Sequence, residues 1–414
     1  MDIDLLDPAG YVSGQPLDQL LWLQEHDPVH WHAERGGGPG FWALTRYADI
    51  RAVQGDPGMF SNSPTVVIAD DYVFADGLHD NMMFTDPPRH TQRRRFLGQE
   101  LFPQSVRQMT GRVQAVVDGV LDEVIERGEC DLVTDIAGKL ASYVTADLLG
   151  MPRQDAVEMY ELADAIINED SPNSGGGLEA TMKLGAYSMK MWEDRRGCPR
   201  GDMLTRIAHA DVDGWPADAQ QFALDFLLVF NAAGDTTRNV VSGGMDAMFA
   251  NRGQWEQLTR DPGLVSGAVE EMLRWVTPIV YQRRTVQKDT EIAGRPIRAG
   301  QKVASFFAAA NRDPAVFPRP LDFDIRRAPN NHMAFGFGPH FCLGSHLARL
   351  ELRLMFAALA TRLPDIEPTQ PTNWVRTDSK ATVAPIVIGP QTMPVRYTPA
   401  HQRRRHNVDQ PGNR

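Results

Sequence analysis

The chain has 414 residues, 42% hydrophobic and 23% charged, with no long polar or low-complexity tract in its interior, so it can bury a large core. Its net charge of −11 sets the mean field against a polyanion and excludes a nucleic-acid partner. Three scattered cysteines (Cys130, Cys198, Cys342) exclude a disulfide scaffold and fit a reducing cytoplasm, while Asp2, Asp4 and Asp7 stand where a secretory signal would be basic.

Phe41–Thr45 reads as a strand and Ala48–Val53 as a short helix. Residues 61–85 form a long irregular connection carrying Asp70, Asp71, Asp76 and Asp80, and loops of that length are usually functional or mobile. From Pro103 the pattern turns helical, over Arg107–Glu129 and Asp135–Leu149. Two helices then flank Asn168–Gly177 (NEDSPNSGGG), a strong breaker that reads equally as a surface connector or as a hinge for a lid.

After Trp215-Pro216 a helix runs to about Ala250, apolar around most of its circumference and therefore buried. Asp225, Asn231, Asp235, Arg238 and Asp246 within it exclude a membrane span, and no membrane anchor is expected. Beyond it come a helix at 264–275 and strands at Arg283–Val286, Glu291–Ile292 and Lys302–Ser305. An irregular stretch to Gly344, a last long helix and a hairpin of Ala384–Ile388 with Met393–Tyr397 complete the chain. The expected fold class is mainly α with small β-sheets, as one domain over 1–400. Residues 401–414, with Arg403–Arg405, read as a basic disordered tail.

Chemistry concentrates at Cys342, in FGFGPHFCLG over 335–344. Glycines at 336, 338 and 344 permit unusual backbone angles and the close approach of a flat ligand. Leu347, Leu350, Leu354 and Ala358 then share one helical face, so Cys342 sits at a helix start, where free amides favour a thiolate of depressed pKa. Taken alone, such a cysteine is more often an inert core residue. No second cysteine stands near enough to build a zinc site.

The pattern Phe335-x-x-Gly338-x-x-x-Cys342-x-Gly344 resembles the haem-binding signature of the cytochrome P450 monooxygenases. Four further constellations follow in the family's order. His90 and Arg94, at i,i+4 in DPPRHTQRRRF, present two donors on one face. The resemblance assigns them to haem propionates and leaves Arg93 and Arg95 to meet an acidic redox partner. In NAAGDTTRN over 231–239, an acid and hydroxyls sit badly in a buried helix, and a Thr hydroxyl can bond the i−4 carbonyl and open a bulge. The resemblance makes Asp235 and Thr236 the acid–alcohol pair that delivers protons, with Ala233 where the family often has glycine. Leu228, Val229 and Ala232, on the face of Thr236, would line the pocket with Ala233.

Glu271 and Arg274 form ExxR, by spacing only a common helical ion pair. The resemblance makes them a structural set completed by Arg327. It also assigns Arg284 and His340 to the propionates, and Ile279 and Val280 to substrate contact.

The resemblance therefore implies a helix-rich triangular prism around haem b, with Cys342 as the axial iron ligand. The implied activity is O2-dependent hydroxylation of a lipophilic small molecule by a cytoplasmic, bacterial-type monooxygenase. With no reductase-like segment in the chain, electrons are expected from NAD(P)H through a separate ferredoxin reductase and ferredoxin. A haem carrier without turnover and a peroxide-driven enzyme are the alternatives, and the presence of both Asp235 and Thr236 argues against each.

Overall fold

Thirty-two residues, Ala219–Ala250, form one continuous helix through the interior. Asp218 caps it by accepting the Gln221 N–H at 2.7 Å. Phe222, Phe226 and Phe230 recur at every fourth position and stack with centroids 6.5 and 5.7 Å apart. This computed structural model describes residues 1–34, 37–68, 81–167, 177–212, 215–374 and 385–402.

In chain order the elements are α1 (Leu17–His26), β1 (Val29–His32), β2 (Phe41–Leu44), α2 (Tyr47–Gly55), β3 (Phe60–Ser61), α3 (Arg89–Leu97), α4 (Pro103–Gln108), α5 (Thr110–Val124), β4 (Glu129–Asp131), α6 (Lys139–Leu149), α7 (Arg153–Ile167), α8 (Gly177–Gly197) and α9 (Met203–Ala208). The short pair β5 (Asp211–Val212) and β6 (Trp215–Pro216) precedes the long helix, α10. Then follow α11 (Arg252–Arg260), α12 (Val265–Val276), β7 (Tyr281–Val286), β8 (Thr290–Ile292), β9 (Arg295–Ile297), β10 (Lys302–Phe306), α13 (Phe307–Ala310), α14 (Ser345–Arg362), β11 (Glu367–Pro368) and β12 (Pro394–Arg396).

The core lies between α10 and the helices packed on it, α6, α8, α12 and α14. On α5, Val113, Val116, Val117, Val120, Leu121 and Val124 make the buried stripe that a 3.6-residue period predicts. To one side a five-stranded sheet runs β1-β2-β10-β7-β3, with β2 and β10 parallel and Lys302 level with Phe41. It delivers Arg283 and Arg284 on β7 to the interior. No helix of the described residues is long and apolar enough to cross a membrane.

Several expected boundaries move, each for a local reason. The helix expected over Arg107–Glu129 is broken after Gln108, where the Thr110 hydroxyl donates to the Arg107 carbonyl. It ends at Val124, and Gly128 (φ +82°) turns the chain into β4. The helix expected from Asp135 starts earlier, as a π-helical turn at Leu132–Gly138 that leads into α6. Asp131 caps that turn through the Val133 and Thr134 amides, and Asp135 returns a bond to the Asp131 N–H.

The expected C-terminal hairpin does not form. Residues 386–388 exchange backbone bonds with the stretch from Pro278 to Val280, while β12 pairs with β4 and β11. The acids at 70–80, the connector at 168–176 and Arg403–Arg405 lie outside the described residues.

Arg93 also departs from expectation. It is buried, and its guanidinium pairs with Asp225 of α10, with Nε to Oδ1 at 3.0 Å. It therefore fastens α3 to α10 rather than meeting a partner; Arg95 alone of that pair is exposed. Asp225→Asn removes the charge opposite a buried guanidinium and is expected to destabilise the fold by about 3–5 kcal/mol, measured as a loss in urea unfolding free energy.

Candidate active site

Cys342 closes a loop: its N–H donates to the Phe335 carbonyl at 2.8 Å. Gly338 makes the loop possible, since it takes φ +76° and a Cβ there would lie 2.3 Å from the Gln54 carbonyl. The sulfur stands half-buried three residues before α14 and accepts a hydrogen bond from the Gly344 amide. Burial nevertheless raises the thiol pKa, outweighing that amide and the positive charges of Arg94 and Arg349. The depressed pKa expected from the helix start alone is thus not found. A thiol in this setting becomes a thiolate by coordinating a metal cation, which deprotonates it outright.

The loop is braced from below. Arg349 donates to Glu270 at 2.7 and 2.8 Å, His332 meets the same carboxylate at 3.1 Å, and the Arg349 guanidinium lies 4.5 Å from the Phe335 ring centroid. Burial would raise the Glu270 pKa, but those two partners overcome it and hold the carboxyl at about 2.

Beside Glu270, Glu271 is fully buried. It accepts Arg274 Nε and Nη2 at 2.8 and 2.7 Å, Arg327 Nε at 3.1 Å, Asn330 Nδ2 at 3.1 Å and the Asp324 N–H at 2.8 Å. The expected three-residue set is assembled, with Asn330 and the Asp324 amide as members that no spacing announced.

Four expected ligand-binding side chains also converge. The rings of His90 and His340 lie 3.8 Å apart, centroid to centroid. Both ring nitrogens of buried His90, and Nε2 of His340, are enclosed without a hydrogen-bond partner. Arg284, 1% exposed, bonds the Arg283 carbonyl and the Gln54 and Gln282 side-chain oxygens but contacts no carboxylate among the described residues. Arg94 makes no ion pair among the described residues.

Burial and the Arg94 charge lower the His90 pKa to about 4. Burial, then His90, Arg284 and Arg94, lower that of His340 to about 2. Buried donors and charges are ordinarily paired. A cluster of donors with no anion of its own fits a ligand bearing carboxylates, as the two propionates of haem do.

On α10, the Thr236 hydroxyl donates to the Ala232 carbonyl at 3.1 Å, yet the helix remains α-helical throughout and no bulge opens. Ala232 is exposed and Leu228, Ala233 and Thr236 are half-buried, unusual in mid-helix here, whereas the neighbouring Gly234 and Asp235 are buried. This face therefore borders accessible space. Ile279 is half-buried. Val229 and Val280 are buried, and the Val280 N–H bonds the Ile386 carbonyl.

Asp235 accepts the Tyr160 phenol at 2.5 Å and pairs with Arg238 at 3.2 Å. Tyr160 and Gln54 were not singled out in the sequence. Each acts on a residue remote in the chain, and no local pattern signals such a contact.

A buried thiol at the head of a glycine-rich loop, beside clustered donors that pair with no carboxylate among the described residues, fits a haem-thiolate protein. Comparison with known proteins agrees. The cytochrome P450 family profile matches residues 250–364. A Mycobacterium tuberculosis steroid C26-monooxygenase is 34% identical over 96% of this chain and 98% of its own. A methyl-branched lipid omega-hydroxylase of Mycobacterium bovis is 31% identical over 87% of this chain and 85% of its own. Among solved structures, a Mycobacterium marinum cytochrome P450 in complex with pseudoionone superposes with a TM-score of 0.86 at 31% identity, covering 96% of this chain and 99% of that one.

The chain belongs to the cytochrome P450 family. It is a haem-thiolate monooxygenase, with the mainly helical fold of that family.

The Glu270 brace yields a pH signature. Because its folded pKa lies below the ordinary 4.5, its stabilisation is complete above pH 4.5 and is lost as pH falls towards 2. Glu270→Gln should therefore cost about 2 kcal/mol at neutral pH, allowing for partial exposure. Urea midpoints of variant and parent should converge as pH falls through that window.

Proposed function

We propose that this monooxygenase hydroxylates a lipophilic small molecule, using O2 and electrons passed from NAD(P)H through a ferredoxin reductase and a ferredoxin. The observation that carries the substrate class is the accessible face of α10. Leu228, Ala232 and Ala233 are apolar there, and Thr236 supplies the one hydroxyl among them. Such a surface rewards burial of hydrocarbon and offers few polar anchors. The relatives are named for steroid and branched-lipid substrates, and similar structures hold myristic acid and testosterone, which supports the same class.

In this reading Cys342 would ligate the iron of haem b, and His90, Arg94, Arg284 and His340 would hold its propionates. Bound there, the haem supplies the oxygen-activating chemistry, its potency raised by thiolate ligation. The protein's own tasks are to orient substrate along α10, to exclude bulk water and to meter protons. Asp235 exchanges protons with solvent, and Thr236, tied to the Ala232 carbonyl, hands them on at its Oγ1. Glu271, Arg274 and Arg327 act at a distance, by fixing the chain that leads to Cys342.

The electron donor is acidic and docks near Cys342. An open cleft there is lined by Thr91, Arg94, Arg95, Phe102 and Phe341, so positive charge is set among exposed aromatics. Weak, steered encounters use such a combination.

Cys342→Ala is expected to abolish the red-shifted carbonyl band of the reduced haem; survival of that band would overturn the ligand assignment. Thr236→Ala is expected to divert most reducing equivalents from product to peroxide, read as the ratio of product formed to NADPH consumed with a surrogate ferredoxin and myristic acid. An unchanged ratio would remove Thr236 from the proton path.

A further inference from the structure

Asp235 is oriented by groups from two different helices. Arg238, one turn along α10, reaches Oδ1 at 3.2 Å. Tyr160 comes from α7, and its phenol donates to the same Oδ1 at 2.5 Å. Among the described residues no hydrogen bond is made to Oδ2.

The approach of the tyrosine is built into α10. A Cβ on Gly234 would lie 2.8 Å from the Tyr160 ring, so the residue beside the acid must be glycine for the phenol to reach it. The Arg238 guanidinium completes the set, 5.4 Å from the Tyr160 ring centroid. Ring, guanidinium and carboxylate thus pack as one unit, in which a charge-assisted bond to a phenol fixes one carboxylate oxygen.

We propose that Tyr160 is the positioning residue of Asp235: its phenol holds Oδ1 and leaves Oδ2 as the oxygen that exchanges protons. Oδ2 takes a proton from solvent and releases it towards Thr236, so the carboxylate is unchanged over a cycle. The ring packing serves the fold, whereas the hydroxyl serves the acid. This inference rests on the reading of Asp235 as the proton-exchanging acid.

The test is a double-mutant cycle of Tyr160→Phe, Asp235→Asn and the combined variant, each as haem-loaded enzyme. NADPH-driven oxygen consumption is measured with a surrogate ferredoxin and its reductase, and myristic acid as the probe substrate. The readouts are the rate, its solvent deuterium isotope effect and the share of oxygen released as peroxide. The carbonyl band and the melting midpoint establish that each variant is folded, and Tyr160→Phe keeps the ring that Gly234 accommodates.

The expected result is a roughly tenfold slower rate for Tyr160→Phe, with a larger solvent isotope effect and more peroxide. The combined variant should be no slower than Asp235→Asn alone, because the phenol acts through the acid. If Asp235→Asn is slow while Tyr160→Phe matches the parent, or if the two losses multiply, the positioning role is overturned and the acid's role stands. If Asp235→Asn itself matches the parent, the reading of the acid fails and the positioning role falls with it.

Discussion

Glu271 is enclosed away from solvent, and five donors, four from the side chains of three residues and one from a backbone amide, satisfy it. An isolated carboxylate there would cost many kcal/mol, so the surrounding chain must arrive where it does for the fold to be stable at all. Arg274 spends its remaining donors on the carbonyls of Asn311, Pro320 and Asp322, and Arg327 on those of Pro318, Arg319 and Asp322. Asn311 in turn accepts the Met333 N–H at 2.6 Å, nine residues ahead of Cys342. An irregular stretch with little regular structure is thereby fixed, and the cysteine loop begins from a defined point. The set does no chemistry, but the geometry of the sulfur depends on it.

A second constraint is the division of labour on α3. Within one basic run, His90 and Arg94 face the ligand-binding cluster, while Arg93 turns the other way and is neutralised by Asp225. The same short helix is therefore tied to α10, on which Asp235 and Thr236 stand, and contributes to the cluster of donors unpaired among the described residues.

What could be read from the sequence is what repeats over a few residues. The cysteine pattern, the i,i+4 pair at 90 and 94, the ExxR pair and the acid–alcohol pair are each local. The structure brings His90 against His340, and Glu271 onto both arginines. The long buried helix was equally legible from its apolar circumference.

Partners separated by a hundred residues or more left no such trace. The Arg93–Asp225 pair and the bond from Arg284 to Gln54 depend on tertiary placement. Val280 illustrates the same limit, since its neighbours from 386–388 come from a segment read as half of a hairpin. The thiol pKa erred for a different reason: helix-end electrostatics are visible in a sequence, but the desolvation that overrides them is not.

The donor cluster has a consequence for how much of this enzyme a cell contains. The charges of Arg94 and Arg284 disfavour protonation of His90 and His340, and among the described residues no carboxylate pairs with any of the four. A dianionic prosthetic group relieves that repulsion only in the folded state, so its concentration enters the folding equilibrium directly, by mass action. Under haem shortage the folded fraction falls, and the unfolded polypeptide is exposed to proteolysis. Haem supply would then set the abundance of the protein as well as its activity.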